Sequence, residues 1–222
     1  MKEKNSLLAT FEKIVRARRS IRKFTNQKID DKTLNSILTS ANYCPSSFGL
    51  EPWKVLVIKN QTLKAELQKF CFNQIQVTSC SHFLVILTCK KKMFAQDHPW
   101  FLKRMKDKRS MTNVNEINDF YQNRFMIYMK EISDWDQWAI RQSYILLQTI
   151  LLATTAHNIA TSPMEVTDTQ GLINYLEENV LHPNEKGNYN SPVTIALGYR
   201  DPDYQPRKKI INPLNETFTI IE

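Results

Sequence analysis

Residues 44–58 read CPSSFGLEPWKVLVI, and in this stretch a helix, a loop and a strand follow one another. The apolar residues of segment 34–41 repeat at helical spacing just before it. The run 45–49 ends that helix, and Pro52 keeps it from resuming. Residues 53–59 (WKVLVIK) then have the β-branched composition of a central strand. A loop between a helix and a buried strand is therefore predicted at residues 45–52.

Strand and helix patterns alternate along the rest of the chain. Residues 82–89 (HFLVILTC) and 192–199 (PVTIALGY) are also short apolar runs bounded by turn residues. Helical patterns lie at about 61–72, 114–132, 136–158 and 168–179, and another precedes residue 16, by the spacing of apolar residues. Asp30 and Asp31 are candidate caps for the helix over 34–41. No repeat or linker divides the 222 residues, so we expect one domain over 1–222.

Segment 138–156 is apolar nearly all round, which is typical of a helix buried on several sides. Such a helix is either the centre of the domain or part of a subunit interface, or both. Residues 142–164 lack formal charge, but their many amide and hydroxyl groups would be too costly in lipid. We therefore expect no membrane association. The apolar end of the chain, 217–221, needs a surface to pack on, such as a partner subunit.

The net charge of +8 and pI near 9.3 suit three anionic partners: nucleic acid, a membrane surface or a phosphorylated ligand. Neither helix-turn-helix pattern nor zinc finger is present, which argues against nucleic acid. The four cysteines form no CxxC pair and the four histidines no ligand set, so we expect no metal. Without a leader-like start, a cytoplasmic protein with reduced thiols is expected. GxGxxG, P-loop and GxSxG motifs are absent.

Two basic groups stand far apart in the sequence, at residues 18–22 (RRSIR) and 207–209 (RKK). A phosphate group needs guanidinium or ammonium donors together with a hydroxyl or a backbone N–H. The two groups could close on one phosphate, or each could be an exposed basic face. Composition alone leaves both interpretations open, while the basic groups at 90–92 and 103–109 are expected to be solvated faces.

RRSIRKF at 18–24, followed by CPSSFGLEPWKVLVI at 44–58, resembles the opening signature of the flavin-dependent nitroreductase family. Further matches follow in order: FNQ at 72–74, SHFLVILT at 81–88, WAIRQSY at 138–144, SPMEV at 162–166, and LGYRDPD then PRKK at 197–209. The sequence is most similar to the oxygen-insensitive NAD(P)H nitroreductase and dihydropteridine reductase branch. The resemblance implies an α+β fold with a mixed central sheet flanked by helices. It also implies an intertwined homodimer with FMN in clefts at the interface.

The same resemblance implies roles for individual residues. Phosphate-binding positions are matched by Arg18, Ser20, Arg207 and Lys209, with Arg19 and Arg22 on the same strip. A loop reaching the partner's flavin is matched by Pro45, Ser46, Ser47 and Gly49. Positions that contact the flavin are also matched. Asn73 and Gln76 correspond to positions at the pyrimidine edge of the ring, and Glu165 and the Val166 N–H to positions near N5. Gln142 corresponds to a position near the ribityl chain. For Gln142, a polar residue of an interface helix is an equally good interpretation.

FMN would carry the chemistry, with NADH or NADPH as co-substrate and no protein residue acting as acid or base. The expected function is hydride transfer by a ping-pong mechanism to a small electron-poor acceptor: a nitroaromatic, a quinone or a pteridine. The alternative is a flavin- or nucleotide-binding regulatory module without turnover. Segment 94–128 either covers the acceptor site or is an ordinary helical excursion.

The sequence departs from the family pattern around the flavin ring. Gln76 stands where lysine is usual, and a neutral amide stabilises negative charge on the flavin less well. Gly49 stands where Asn is common, Glu51 where Gln is common, and Val166 where Gly is common. These changes affect the choice of acceptor more than flavin binding.

Overall fold

Four strands form one antiparallel sheet in the computed structural model, which describes residues 2–222 and the side chains from residue 6 onward. The strand order is β1-β2-β4-β3. Its strands are β1 (Trp53–Ile58), β2 (His82–Cys89), β3 (Ala160–Glu165) and β4 (Tyr189–Gly198). An isolated bridge between Ser20 and Thr161 adds a parallel pairing beside β3. With helices on both faces of this sheet, the α+β class is confirmed.

Ten α-helices surround the sheet in the part of the chain that the structure describes. They are α1 (Lys2–Ala17), α2 (Asp31–Ala41), α3 (Gln61–Gln68), α4 (Gln76–Ser79), α5 (Pro99–Arg109), α6 (Val114–Phe120), α7 (Met126–Met129), α8 (Trp135–Ala156), α9 (Thr169–Asn179) and α10 (Leu214–Thr217). A π-helical turn over Tyr121–Phe125 joins α6 to α7.

The side chains of β2 divide the core into two layers. Every residue of β2 is buried, and successive residues of a strand point to opposite faces of the sheet. Leu84 and Ile86 pack with the buried residues of α2 and α8, including Ile37 and Ile150. Phe83, Val85 and Leu87 belong to the other cluster, which also holds buried residues of α3, α5 and α9. The sheet therefore lies between two helical layers.

Helix α8 is the central helix of one layer. It runs for 22 residues, and its buried side chains include Trp138, Leu147 and Ile150. Asp134 caps it by accepting from the Gln137 N–H at 3.0 Å. No helix within residues 2–222 is long and apolar enough to cross a membrane. The sequence-based prediction of a buried helix here is confirmed.

The predicted elements are found, whereas β3, α5 and the four-residue helices α4 and α10 were missed. The three predicted strands match β1, β2 and β4, and Asp30 caps α2 by accepting from the Thr33 N–H at 2.8 Å. Strand β3 was not predicted, because Thr161, Ser162 and Pro163 leave it without an apolar run. Helix α5 was not predicted either. Its buried face has few apolar residues, such as Phe101 and Met105, and most of the helix is charged, so the helical pattern is weak.

Candidate functional site

The two basic groups that are distant in sequence meet at the carboxyl end of α1. Lys209 donates to the Val15 carbonyl at 3.2 Å, and Arg19 donates to the carbonyls of Arg16 at 2.6 Å and Arg18 at 2.9 Å. Burial and the nearby charges of Arg18 and Arg19 lower the pKa of Lys209. Because like charges repel, an anion bound here would offset an unfavourable arrangement.

Within residues 6–222, whose side chains are described, the cluster has no paired carboxylate. Among the described side chains, no acidic group lies within ion-pair distance of Arg18, Arg19 or Lys209, although Glu12 lines the same surface. A cleft of about 370 Å³ adjoins the cluster. Arg18 and Arg19 line this cleft together with Arg200, which the sequence did not single out. The arrangement suits an anionic group with several negatively charged oxygens.

The other predicted phosphate-binding residues lie near this cluster in the chain. Ser20 is half-buried and pairs with Thr161 through the parallel bridge, which fixes the strip 18–22 against β3. Arg22 and Arg207 are exposed. Neither forms an ion pair with a carboxylate in the described part of the chain, so both guanidinium groups are available to a ligand.

The loop 45–49 is held against α8 of the same chain. The Ser47 N–H donates to Oε1 of Gln142 at 2.8 Å, and the Ser46 hydroxyl accepts from the Glu51 N–H at 2.8 Å. Pro45 and Gly49 are exposed, and Gly49 has a φ of +65°, a conformation that a residue with a side chain adopts at a cost. The loop therefore exposes small residues to solvent, and its hydrogen bond to Gln142 fixes it on the side that faces α8.

The end of β3 also meets α8. Glu165 is exposed, and its Oε1 accepts from the hydroxyl of Tyr144 at 3.3 Å. Burial raises the pKa of Tyr144, and the negative charge of Glu165 raises it further. The Val166 N–H donates to the Pro192 carbonyl at 3.3 Å. The sequence pattern places Tyr144 among the apolar residues of segment 138–156. It does not reveal the contact with Glu165, because a hydrogen bond made by a tyrosine hydroxyl has no signature in sequence.

Asn73 lies in the turn that follows α3, and Gln76 is the first residue of α4. Phe72 and Asn73 both have positive φ, 54° and 51°, which is costly for residues other than glycine and is typical of binding sites. The Gln68 amide donates to the Asn73 carbonyl at 3.1 Å and supports this turn. Gln76 is 4% exposed, and its amide donates to the Gln74 side chain. One of the two N–H groups of the Gln76 amide is thus already engaged within the chain.

The histidines and cysteines are the remaining residues that could form a metal site. All four cysteines are free and buried. Among the described residues, no three His, Cys, Asp or Glu side chains are grouped so that they could hold a metal ion.

The fold and the site together define an α+β protein with a basic cleft where the two ends of the chain meet. Comparison with known proteins then gives the family. Residues 15–199 match the model of the nitroreductase family. A Haemophilus influenzae protein, provisionally named an NAD(P)H nitroreductase, is 30% identical over 190 residues, with 82% of this chain and 84% of that protein covered.

Solved structures share the fold. A provisionally assigned nitroreductase from Exiguobacterium sibiricum, crystallised in complex with FMN, has a TM-score of 0.71 at 24% identity and covers 95% of this chain and 97% of its own. An enone reductase of gut-bacterial fatty acid saturation has a TM-score of 0.74 at 20% identity, with coverages of 96% and 98%. The chain belongs to the nitroreductase family, whose members are FMN-dependent oxidoreductases that use NAD(P)H.

Proposed function

We propose that this chain binds FMN and passes reducing equivalents from NADH or NADPH to a small electron-poor acceptor, in a ping-pong cycle. Nitroaromatics, quinones and pteridines are the acceptor classes proposed. The observation that carries the proposal is the convergence of Lys209 with Arg18 and Arg19 at the end of α1. A phosphate monoester would supply the negative charge that this cluster lacks among the described residues.

The residues present fit FMN. Arg18, Ser20, Arg207 and Lys209 would hold the phosphate, and Arg19 supports them by donating to the carbonyls of Arg16 and Arg18 at the end of α1. The ring would be held by three groups that the resemblance assigns to it: the turn at Asn73 and Gln76, the end of β3 at Glu165 and Val166, and the α8 residue Gln142. Bound FMN would supply hydride-transfer chemistry between the nicotinamide and the acceptor. The protein's part is to bind, orient and exclude water.

A homodimer is part of the proposal. Large apolar side chains are exposed on α1, on α8 and along the tail after residue 209: Leu7, Phe11, Ile145, Ile211, Phe218, Ile220 and Ile221. Exposed apolar side chains over such an extent are typical of surfaces that bind another protein. A second copy of the chain would cover them and bring its loop 45–49 to the flavin. Removing residues 210–222 should convert the dimer to a monomer in light scattering.

The purified protein tests the proposal directly. It should be yellow, should release FMN on denaturation, and should bleach without oxygen when NADH or NADPH is added. Adding a nitroaromatic, a quinone or a dihydropteridine should restore the colour, and the fastest acceptor identifies the class. A protein that binds FMN but does not bleach would instead be the regulatory module. A protein that binds no FMN overturns the proposal.

A further inference from the structure

Three cations of α5 contact the loop 45–51. Lys108 Nζ lies 2.6 Å from Oε1 of Glu51, and Arg104 Nη1 lies 3.6 Å from Oε2 of the same carboxylate. Arg109 Nη2 donates to the Phe48 carbonyl at 3.0 Å. The sequence suggested that the whole basic group 103–109 is a solvated face. Arg104, Lys108 and Arg109 depart from this expectation. They bind one face of this loop.

The backbone of this loop needs such support. Phe48, Gly49 and Glu51 have φ values of 56°, 65° and 48°. Positive φ is unfavourable for Phe48 and Glu51, and it persists only where surrounding contacts hold it. Ser46 accepts from the Glu51 N–H, which closes the loop on itself. The remaining support comes from α5 and from Gln142.

Shielding from solvent strengthens these contacts. The Glu51 side chain is 15% exposed and the Arg104 side chain 22%. The Arg109 guanidinium stacks 4.2 Å from the centre of the Phe120 ring, and the Phe48 ring packs edge-on against Phe120 and Phe125. An ion pair with restricted water access is screened less than an exposed one. The loop and the segment from α5 to α7 are thus joined by charge and by aromatic packing.

We propose that Glu51 is a positioning residue that fixes the loop 45–51 through its ion pairs with Lys108 and Arg104. This inference rests on the proposed function, which assigns the loop to the flavin. Glu51 does not contact flavin or acceptor in this scheme; it acts through Ser46, Ser47 and Gly49. It also couples the loop to the segment beyond α5, so that movement of that segment changes the flavin environment.

Glu51→Gln tests the inference because glutamine keeps the size of the side chain and removes its charge. Lys108→Gln removes one ion pair from the other side, and exposed Lys106→Gln removes one charge from the same helix away from the loop. The readouts are hydrogen exchange of peptide 45–52, which carries the Ser47 and Glu51 amides, and the rate of FMN release. Exchange of a peptide from β2 reports on the fold as a whole.

Glu51→Gln should speed both exchange of the loop and FMN release by about fivefold, because it removes the ion pairs with Lys108 and Arg104 together. Lys108→Gln should give a smaller change in the same direction, because Arg104 remains. The double variant should change each rate by less than the product of the two single-variant factors, because both substitutions remove the same ion pair. Lys106→Gln and the β2 peptide should be unchanged. The flavin circular dichroism of Glu51→Gln should also change.

Each result has a distinct meaning. Unchanged loop exchange in both Glu51→Gln and Lys108→Gln overturns the inference, even if the wild type binds FMN as proposed. Faster loop exchange with unaltered FMN release shows that Glu51 only stabilises the loop, and it overturns the positioning role. If the wild type binds no FMN, the proposed function fails first, and loop exchange still reports whether the ion pairs hold the loop.

Discussion

Oε1 of Gln142 accepts the N–H of Ser47 at 2.8 Å, which joins the middle of α8 to a loop 95 positions earlier in the chain. The bond uses one of the amide groups on a helix whose buried side is largely apolar. The loop that the family resemblance assigns to flavin is therefore set by the same helix that organises the core. Flavin binding should respond to changes in α8 even where they do not reach the ligand.

Gln142→Met should weaken both the fold and FMN binding. Methionine keeps the length of the side chain but cannot accept, so the half-buried Ser47 N–H loses its partner at a cost of about 1–3 kcal/mol. Urea unfolding of the apoprotein and an FMN titration measure the two effects. Gln142→Glu keeps an acceptor and should restore most of the loss. Exposed Gln148→Met on the same helix is the control, and equal effects from both methionine variants would contradict the role given to Gln142.

Lys209→Met should weaken FMN binding far more than Lys208→Met. Lys209 is half-buried beside Arg18 and Arg19, whereas Lys208 is exposed. A charge-assisted hydrogen bond to phosphate contributes about 1.5–3 kcal/mol, so the dissociation constant should rise at least about tenfold. Fluorescence quenching of FMN at two salt concentrations measures it. Similar losses in the two variants would indicate a general effect of net charge instead of a phosphate site.

Gln76→Lys should raise the midpoint potential of the bound flavin. A cation at this position favours the reduced form, which carries more negative charge, over the oxidised form. Gln76→Met, which removes the amide without adding charge, should not raise it. Potentiometric titration with a reference dye gives the value for each variant. An unchanged potential in a correctly folded lysine variant would show that Gln76 does not lie beside the ring.

His82 should make the protein less stable in mild acid. Burial lowers its pKa below the ordinary value of 6.5, the nearby lysines Lys59, Lys64 and Lys28 lower it further, and Asp31 opposes them. The unfolded chain therefore binds a proton more readily than the folded chain. Stability is fully present above pH 6.5 and decreases as the pH falls from 6.5 toward the folded-state pKa.

Urea unfolding across this pH range checks the prediction. His82→Gln should flatten the dependence on pH, while His182→Gln, at an exposed site, should not. The pKa of His98 is also lowered by burial, so it adds a similar dependence to every variant. The difference between wild type and His82→Gln therefore isolates His82, and the absence of a difference would refute its role.

The sequence by itself determined the main elements and the family. A short, unbroken apolar run bounded by turn residues, such as the one in β2, predicts a strand that is buried on both faces. The motifs at 18–24, 44–58 and 197–209 carried the family resemblance, and the match over residues 15–199 confirms it. The cap of α2 at Asp30 was likewise predictable, because its hydrogen bond is made within three residues.

Only the tertiary structure decided which of these residues meet. Lys209 reaches Val15 across 194 positions, Gln142 reaches Ser47, and Tyr144 reaches Glu165. Glu51 appeared in the sequence as a departure from a pattern, and the basic residues of α5 as a solvated face. Their ion pairs depend on where α5 packs, and that is set by burial of Phe101 and Met105 in the shared core. Local patterns carry local structure, whereas contacts between distant residues follow from how the whole chain buries its apolar surface.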